Sequence, residues 1–146
     1  MRNWLAAGFL VTAMCALMPG HASAAVALAV GVTGNPSDGI AIGYAYNYDS
    51  EDEAKSTALD QCRRYEAAPK ANKQCRLIGS LTDGCVAAAF DPKSDSPGMG
   101  WAVTDDRDSA RRRALSDCRA AAPSSRREFC QVDIIKCEGD EPPSKR

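Results

Sequence analysis

The chain has 146 residues, of which 18 are lysine or arginine and 19 are aspartate or glutamate, so its net charge is −1 at pH 7. A chain of this length has room for one domain with a continuous core. The near balance of charge argues against nucleic acid as the main partner, because phosphate binding requires a concentrated basic excess.

Residues 1–24 have the pattern of a secretory signal peptide. Arg2 supplies a positive charge, an apolar run covers residues 4–17, and Ala22-Ser23-Ala24 is a small-residue cleavage site. The run is shorter than the roughly 20 apolar residues that a membrane-spanning helix needs. Cys15 lies inside the run, which argues against a lipid anchor. We therefore expect cleavage near Ala24 and a secreted or periplasmic mature chain without a membrane span.

The next segment, about residues 25–84, predicts three strands and one helix. The predicted strands are Ala25–Val30, Ile40–Tyr48 and Gln74–Ile78. The helix is expected to begin after Ser50, whose hydroxyl can accept a hydrogen bond from an early backbone amide. Its small and apolar positions form one stripe, made of Ala54, Ala58, Leu59 and Cys62.

The same order returns in residues 85–137. The predicted strands are Cys85–Phe90, Met99–Thr104 and Phe129–Ile135. Asp106 stands where the helix should begin, and its stripe is Ala110, Ala114, Leu115 and Cys118. Residues 138–146 have no apolar side chain worth burying, so we expect a disordered tail.

The chain is therefore predicted to be a single α+β domain built from two tandem strand-strand-helix-strand repeats. The strands should form a mainly antiparallel sheet against which the two helices pack. Repetition indicates how the domain is assembled but carries no reaction with it.

Two motifs of the repeat resemble those of a known family. These are the strands Gly43-Tyr44-Ala45 and Gly100-Trp101-Ala102 and the Ala-x-x-x-Ala-Leu-x-x-Cys helices. Over about residues 25–137 the chain resembles a family of small exported bacterial proteins known as domain of unknown function 4189. The resemblance implies this fold and an exported location, and it implies no catalytic residues.

The cysteines indicate disulfide bonds. The sequence has 7 cysteines, and removal of Cys15 with the signal peptide leaves an even number: Cys62, Cys75, Cys85, Cys118, Cys130 and Cys137. An even set in an exported chain is typical of disulfides, whereas zinc sites usually contain close pairs such as C-x-x-C. Several pairings respect the repeat. Among them we favour Cys62–Cys75 and Cys118–Cys130, with Cys85–Cys137 as a link between the halves.

The sequence lacks the residues that most catalytic mechanisms require. The only histidine, His21, lies in the predicted signal peptide, so the mature chain has no Ser-His-Asp, Cys-His or histidine-ligated metal site. Phosphate-binding glycine loops are also absent from the sequence. The acidic run of residues 49–53 is explained by helix capping. We predict no catalytic site, no metal and no cofactor.

One set of carboxylates stays open as an alternative. Asp105 and Asp106, together with Glu128 or Asp133, could supply a carboxylate pair for the hydrolysis of a glycan. Such a pair requires that the tertiary structure bring these side chains to one cleft.

The second predicted strand has an aromatic face. Period two places Tyr44, Tyr46 and Tyr48 on one side, with Gly43 and Ala45 on the other, and Trp101 aligns with Tyr44. Either the large face is buried as core, or the helices pack on the small face and Tyr44, Tyr46, Tyr48 and Trp101 form a binding surface.

The leading functional hypothesis is a small, disulfide-stabilised, exported binding module without enzymatic activity. Its ligand would be a glycan or a protein of the cell envelope or the extracellular space. The alternatives are a carboxylate-dependent hydrolase of envelope glycans and a secreted effector or enzyme inhibitor.

Overall fold

The computed structural model describes residues 23–141. The predicted signal peptide therefore lies outside the described residues, apart from its last two positions. The strands are β1 (Ala25–Gly31), β2 (Ala41–Tyr48), β3 (Arg76–Thr82), β4 (Cys85–Phe90), β5 (Met99–Thr104) and β6 (Gln131–Cys137). The helices are α1 (Glu51–Arg63) and α2 (Arg107–Ala121). The element order is the predicted one, strand-strand-helix-strand in each half.

The two helices begin where the sequence predicts. The Ser50 hydroxyl accepts a hydrogen bond from the backbone amide of Glu53 at 3.3 Å. The Asp106 carboxylate accepts the equivalent bond from Ser109 at 2.8 Å. Both caps satisfy an amide that would otherwise have no partner in the first turn.

The last strand of each half is shifted toward the C-terminus of its predicted range. Gln74 belongs to a short 3-10 helix, Ala71–Gln74, and Phe129 to another, Arg127–Phe129. The strands begin only after Cys75 and Cys130, because the chain first turns to bring these cysteines to the helix. β3 then continues to Thr82, four residues past its predicted end.

The strands form two antiparallel sheets rather than one. The first has the order β2-β1-β3 and the second β5-β4-β6, so the first strand of each half is central. The sheets face each other, with β1 opposite β4, β2 opposite β6 and β3 opposite β5. Exchange of the two halves preserves these contacts. The molecule thus has four layers, with α1 and α2 outside and the two sheets between them.

The two faces of each central strand have different partners. Ala25, Ala27 and Ala29 of β1 pack on the helix side, whereas Val26, Leu28 and Val30 pack between the sheets. All seven residues of β1 are buried. Small residues let the helix lie close to the sheet, and large residues fill the space between the sheets.

Glycine permits the closest approach of helix and sheet. A Cβ atom on Gly43 would lie 2.0 Å from the carbonyl oxygen of Ala58, and one on Gly100 would lie 2.2 Å from that of Ala114. No side chain can occupy either position. This contact explains the glycine that precedes the aromatic residue in both strand motifs.

Three disulfides link these elements, and they are the favoured pairs. Cys62–Cys75 ties α1 to the start of β3, and Cys118–Cys130 ties α2 to the start of β6. Cys85–Cys137 joins the facing residues of β4 and β6. The third bond thus lies within the second half and does not link the halves. The repeat that begins at Cys85 contains both of its cysteines.

The chain after β6 contacts the domain through Asp140. The Asp140 carboxylate accepts a hydrogen bond from the amide of Cys137 at 2.9 Å and pairs with Arg107. The disordered tail over residues 138–146 stays a prediction, and within it Asp140 is partly buried. Its remainder from Pro142 lies outside the described residues. Within residues 23–141, no helix is long and apolar enough to cross a membrane.

Candidate binding groove

The large face of β2 points away from α1. The small residues Ala41, Gly43 and Ala45 are buried against the helix, whereas Tyr44 and Tyr46 pack against the core between the sheets. Both tyrosines are half-buried. They are neither enclosed in the core nor free on the surface, because they pack at the edge of the cluster between the sheets.

Tyr48 does not share this face, contrary to the period-two prediction. The pairing of β1 with β2 shifts register between Ala25–Tyr48 and Ala27–Ala45, and Asn47 has a φ of 62°. This bulge reverses the alternation, so Tyr48 packs with the cluster on the helix side. One extra residue in a strand moves every later side chain to the opposite face.

The aromatic residues border an open groove of about 560 Å³. The rings of Tyr44 and Tyr46 are stacked, with centroids 6.3 Å apart and an interplanar angle of 23°. The ammonium group of Lys136 lies 5.4 Å from the centre of the Tyr46 ring. The groove is lined by Tyr44, Ala45, Tyr46, Asn47, Tyr48, Gln61 and Lys136.

Gln61 connects the groove to the free edge of the sheet. Its Oε1 atom accepts a hydrogen bond of 3.2 Å from the backbone amide of Tyr44. Because β2 is an edge strand, this amide has no partner from another strand. The Gln61 side chain is thereby held beside the aromatic pair with its Nε2 atom available as a donor.

Trp101 lies in a different groove. That groove has a volume of about 430 Å³ and is lined by residues of β3 and β5 together with Arg113 and Asp117 of α2. It shares no lining residue with the groove of Tyr44 and Tyr46. Of the predicted set, Tyr44, Tyr46 and Tyr48 therefore line one groove and Trp101 lines another, and Tyr44 and Tyr46 are stacked on each other.

The carboxylates of the hydrolase hypothesis are also dispersed. Asp105 and Asp106 immediately precede α2, whereas Glu128 follows it, beyond a helix of 15 residues. A helix of that length spans about 22 Å. Asp133 lies on β6 and lines a cavity that contains none of the other three. The structure therefore does not bring Asp105 or Asp106 into one cleft with Glu128 or Asp133.

Asp106 is unsuited to general acid catalysis for a second reason. Hydrogen bonds from the Ser109 side chain and backbone amide hold the pKa of the Asp106 carboxyl below its ordinary value. A general acid needs a pKa near the working pH. Asp106 therefore stays ionised and caps the helix.

No group of three or more histidine, cysteine, aspartate or glutamate side chains that could hold a metal ion is found within residues 23–141. The cysteines of this region are joined in disulfides. A coordinating thiolate is therefore not available while these bonds are intact.

Sequence reasoning missed the groove residues that come from other elements. Gln61 lies on the exposed side of α1, and Lys136 comes from β6 of the other half. The bulge at Asn47 could have been found in the sequence. The spacing from Gly43 to Ser50 is one residue longer than the spacing from Gly100 to Asp106, which indicates an insertion in the first half.

Comparison with known proteins identifies a family without assigning an activity. No curated protein and no solved structure matches the chain. A family model described as "Domain of unknown function (DUF4189)" matches residues 15–137, which is most of the chain and includes both halves. The chain therefore belongs to the DUF4189 family.

Proposed function

We propose that the chain is a non-enzymatic binding module that is exported to the periplasm or beyond. One domain over about residues 25–137 would carry the binding site. That site is the aromatic groove, the one lined by Tyr44, Tyr46, Gln61 and Lys136. The ligand would be a glycan or protein of the envelope or the extracellular space.

The observation that carries the proposal is the half-burial of the two stacked tyrosines. Both side chains pack on the core between the sheets, which restricts their positions. Both tyrosines also line the groove. A ligand then meets a flat apolar surface that loses little conformational freedom on binding, and such rigid aromatic surfaces favour sugar rings and peptide side chains.

The polar groups of the groove support an orienting role. Gln61 lies next to the rings, and Lys136 holds a positive charge beside Tyr46. A few polar groups around an aromatic surface are typical of ligand sites, because they determine the orientation of the ligand.

Export is supported by the disulfides. Three bonds in one small domain persist in oxidising compartments and are rare in the cytosol. The signal peptide predicted over residues 1–24 would supply the route. The amino terminus of protein purified from the native host tests this point, since cleavage near Ala24 is expected and an intact Met1 contradicts it.

The groove is tested by retention of the oxidised chain on purified peptidoglycan and on immobilised envelope protein extract. We expect Tyr46→Ala to reduce retention at least tenfold, the loss typical of a central aromatic contact. The matched control is Tyr65→Ala, which removes a tyrosine that is 39% exposed outside the groove.

Lys136→Met provides a second variant, which removes the charge beside Tyr46 but keeps an unbranched apolar side chain of similar size. This variant should weaken retention, and it keeps the test valid if Tyr46→Ala impairs folding. Equal retention of wild type, Tyr46→Ala and Lys136→Met would contradict the proposal. The proposal would also be contradicted if the wild type were retained neither on peptidoglycan nor on the envelope extract.

The effector or inhibitor alternative stays a prediction. Tight retention of one protein from the envelope extract, unaffected by Tyr46→Ala, would favour it over the groove.

A further inference from the structure

The four edge strands of the two sheets differ in how they exclude a further strand. β2, β3 and β6 each contain one extra residue relative to the central strand, at the point where the pairing shifts register. β3 and β6 also carry the charged residues Arg76, Asp133 and Lys136. β5 pairs with β4 without a shift over all 6 of its residues and contains no charged residue. Bulges and charges keep edge strands from pairing with other chains, and among the edge strands within residues 23–141 only β5 has neither.

The backbone of β5 is also unoccupied at its free edge. Trp101 holds the position of Tyr44 in the equivalent strand pairing, and the Tyr44 amide points out of its sheet toward Gln61. Asp117 stands at the position of Gln61 on α2, but its carboxylate pairs with Arg113 at 3.4 Å instead. In the part of the chain that the structure describes, no side chain accepts a hydrogen bond from the Trp101 amide. This amide is therefore available to a further strand.

A second copy of β5 fits this edge in a symmetric register. In an antiparallel pair, a residue that directs both of its backbone groups toward the partner strand exchanges two hydrogen bonds with the residue opposite. When Trp101 lies opposite Trp101 of a second copy, a twofold axis passes between them. Alternation then places Met99 of each copy opposite Val103 of the other, with the same direction of their backbone groups.

The apolar surface beside this edge matches a second copy. Trp101 and Val103 line the groove of about 430 Å³, together with Ile78 and Leu81 of β3. Both residues of β5 pack at the margin of the core between the sheets and are only half-buried. The register centred on Trp101 brings the two indole rings to the same side of the joined sheet. They would cover each other in the groove, where apolar area is still exposed.

The charges beside the edge are self-complementary. Arg113 and Asp117 border the same groove from α2, and their side chains are 71% and 46% exposed. Gly100, next to Trp101, lies against the backbone of the helical turn that these two residues span. An axis at Trp101 therefore passes near the middle of this turn and makes the two helices antiparallel. Arg113 of each copy then faces Asp117 of the other, which is the arrangement that a twofold interface requires.

We propose that two copies of the chain associate through β5 to form a symmetric dimer. The two sheets of order β5-β4-β6 join into one sheet of six strands, with the indole rings on one side of the new seam and the charged pairs on the other. β2 and the aromatic groove lie at the opposite edge of the molecule, because β2 faces β6 whereas β5 faces β3. Both copies therefore keep that groove open, and the dimer does not depend on the proposed function.

The test measures the molar mass of the oxidised chain by sedimentation equilibrium over a range of concentrations. The mass should rise toward twice that of one chain. Asp117→Arg places two positive charges opposite each other in both pairs, and Arg113→Asp does the same with negative charges. Each variant should dimerise at least about tenfold more weakly than the wild type. The matched control is Thr57→Asp at the position of α1 equivalent to Arg113, which should not change the dissociation constant.

A mixture of the two variants separates contacts between copies from contacts within one copy. An equimolar mixture of Asp117→Arg and Arg113→Asp should form mixed dimers about as readily as the wild type, because opposite charges again meet across the seam. Urea unfolding of each variant should show little change, since exposed ion pairs within a helix contribute little to stability. A mixture that associates no better than either variant alone would overturn the proposal.

Hydrogen exchange identifies the strand that pairs. The Trp101 amide should exchange more slowly as the concentration of the wild type rises, whereas exchange of the Tyr44 amide should not depend on concentration. A chain that stays monomeric up to its solubility limit would refute the dimer. A dimer in which the Trp101 amide exchanges equally fast at low and high concentration would refute the pairing through β5.

Discussion

The two halves hold the same backbone arrangement by different means. In the first half, Gly31 lets the carbonyl of Ala71 approach so closely that a Cβ on Gly31 would lie 2.1 Å from it. In the second half the equivalent positions hold Asp91 and Arg126. The Asp91 carboxylate accepts from Nε of Arg126 at 3.0 Å and from its Nη2 atom. Both halves thus have a contact at this place, but its chemistry is close packing in the first half and an ion pair in the second.

This difference determines how each half responds to its surroundings. The Asp91 side chain is inaccessible to solvent, and the guanidinium group of Arg126 also lies 4.0 Å from the centre of the Phe129 ring. Close packing of a backbone on a glycine is insensitive to pH. An ion pair with a buried carboxylate is sensitive to it, because protonation removes one of its charges.

The largest difference between the halves should come from the disulfides. Cys62–Cys75 and Cys118–Cys130 span similar separations of 13 and 12 residues, whereas Cys85–Cys137 spans 52. Replacement of both cysteines by alanine should cost about 3 kcal/mol for each short bond and about 4 kcal/mol for the long one. Urea unfolding of the three variants measures this order. A clear inequality between the two short bonds would show that the halves are not equivalent.

The glycines that contact the helices should be equally important in both halves. Gly43→Ala and Gly100→Ala each force a side chain against helix backbone, so we expect a loss of about 3 kcal/mol, the upper part of the range for overpacking. The control is Gly79→Ala, where the nearest atom would be Val103 Cγ2 at 3.4 Å. Chemical denaturation of the three variants checks this, and a loss at Gly79 as large as that at Gly43 would contradict the close approach.

Removal of the ion pair between Asp91 and Arg126 should lower the stability of the protein by an amount that depends on pH. The hydrogen bonds of Arg126 lower the pKa of the Asp91 carboxyl far below its ordinary value, although burial opposes them. Because the pKa is lowered in the folded state, the ionised carboxylate stabilises the fold above the unfolded pKa of about 3.9, and this contribution is lost as the pH falls further.

Asp91→Asn should therefore destabilise the protein at neutral pH and lose less stability than the wild type on acidification. We expect a smaller loss at pH 7 than for Gly100→Ala, because Arg126 is partly exposed and can be solvated. Thermal unfolding between pH 7 and pH 2 checks both expectations. Parallel pH profiles for wild type and variant would contradict the role of this pair.

The smallest expected effect concerns the insertion of the first half. Asn47→Gly preserves the positive φ but removes the two hydrogen bonds to residues 139 and 140. A loss of about 1 kcal/mol is expected, typical for exposed hydrogen bonds. Hydrogen exchange of the Gly139 amide should accelerate at the same time. Unchanged exchange would show that Asn47 does not hold the segment.

Much of the fold follows from the sequence because its causes are local. The caps at Ser50 and Asp106 act on amides three residues away, and the alanine stripes follow helical periodicity. Two of the favoured cysteine pairs have short separations within each half, where a helix end meets the next strand. The family resemblance rests on these same short motifs.

The tertiary structure alone decided what lies opposite each face. Alternation placed Tyr44 and Tyr46 on the large face of β2, but only the packing of the second sheet shows that they are half-buried. The bulge at Asn47 moved Tyr48 to the helix side, and Lys136 reaches the groove from the other half. Such contacts depend on strand register and on partners distant in sequence, and periodicity contains no information about either.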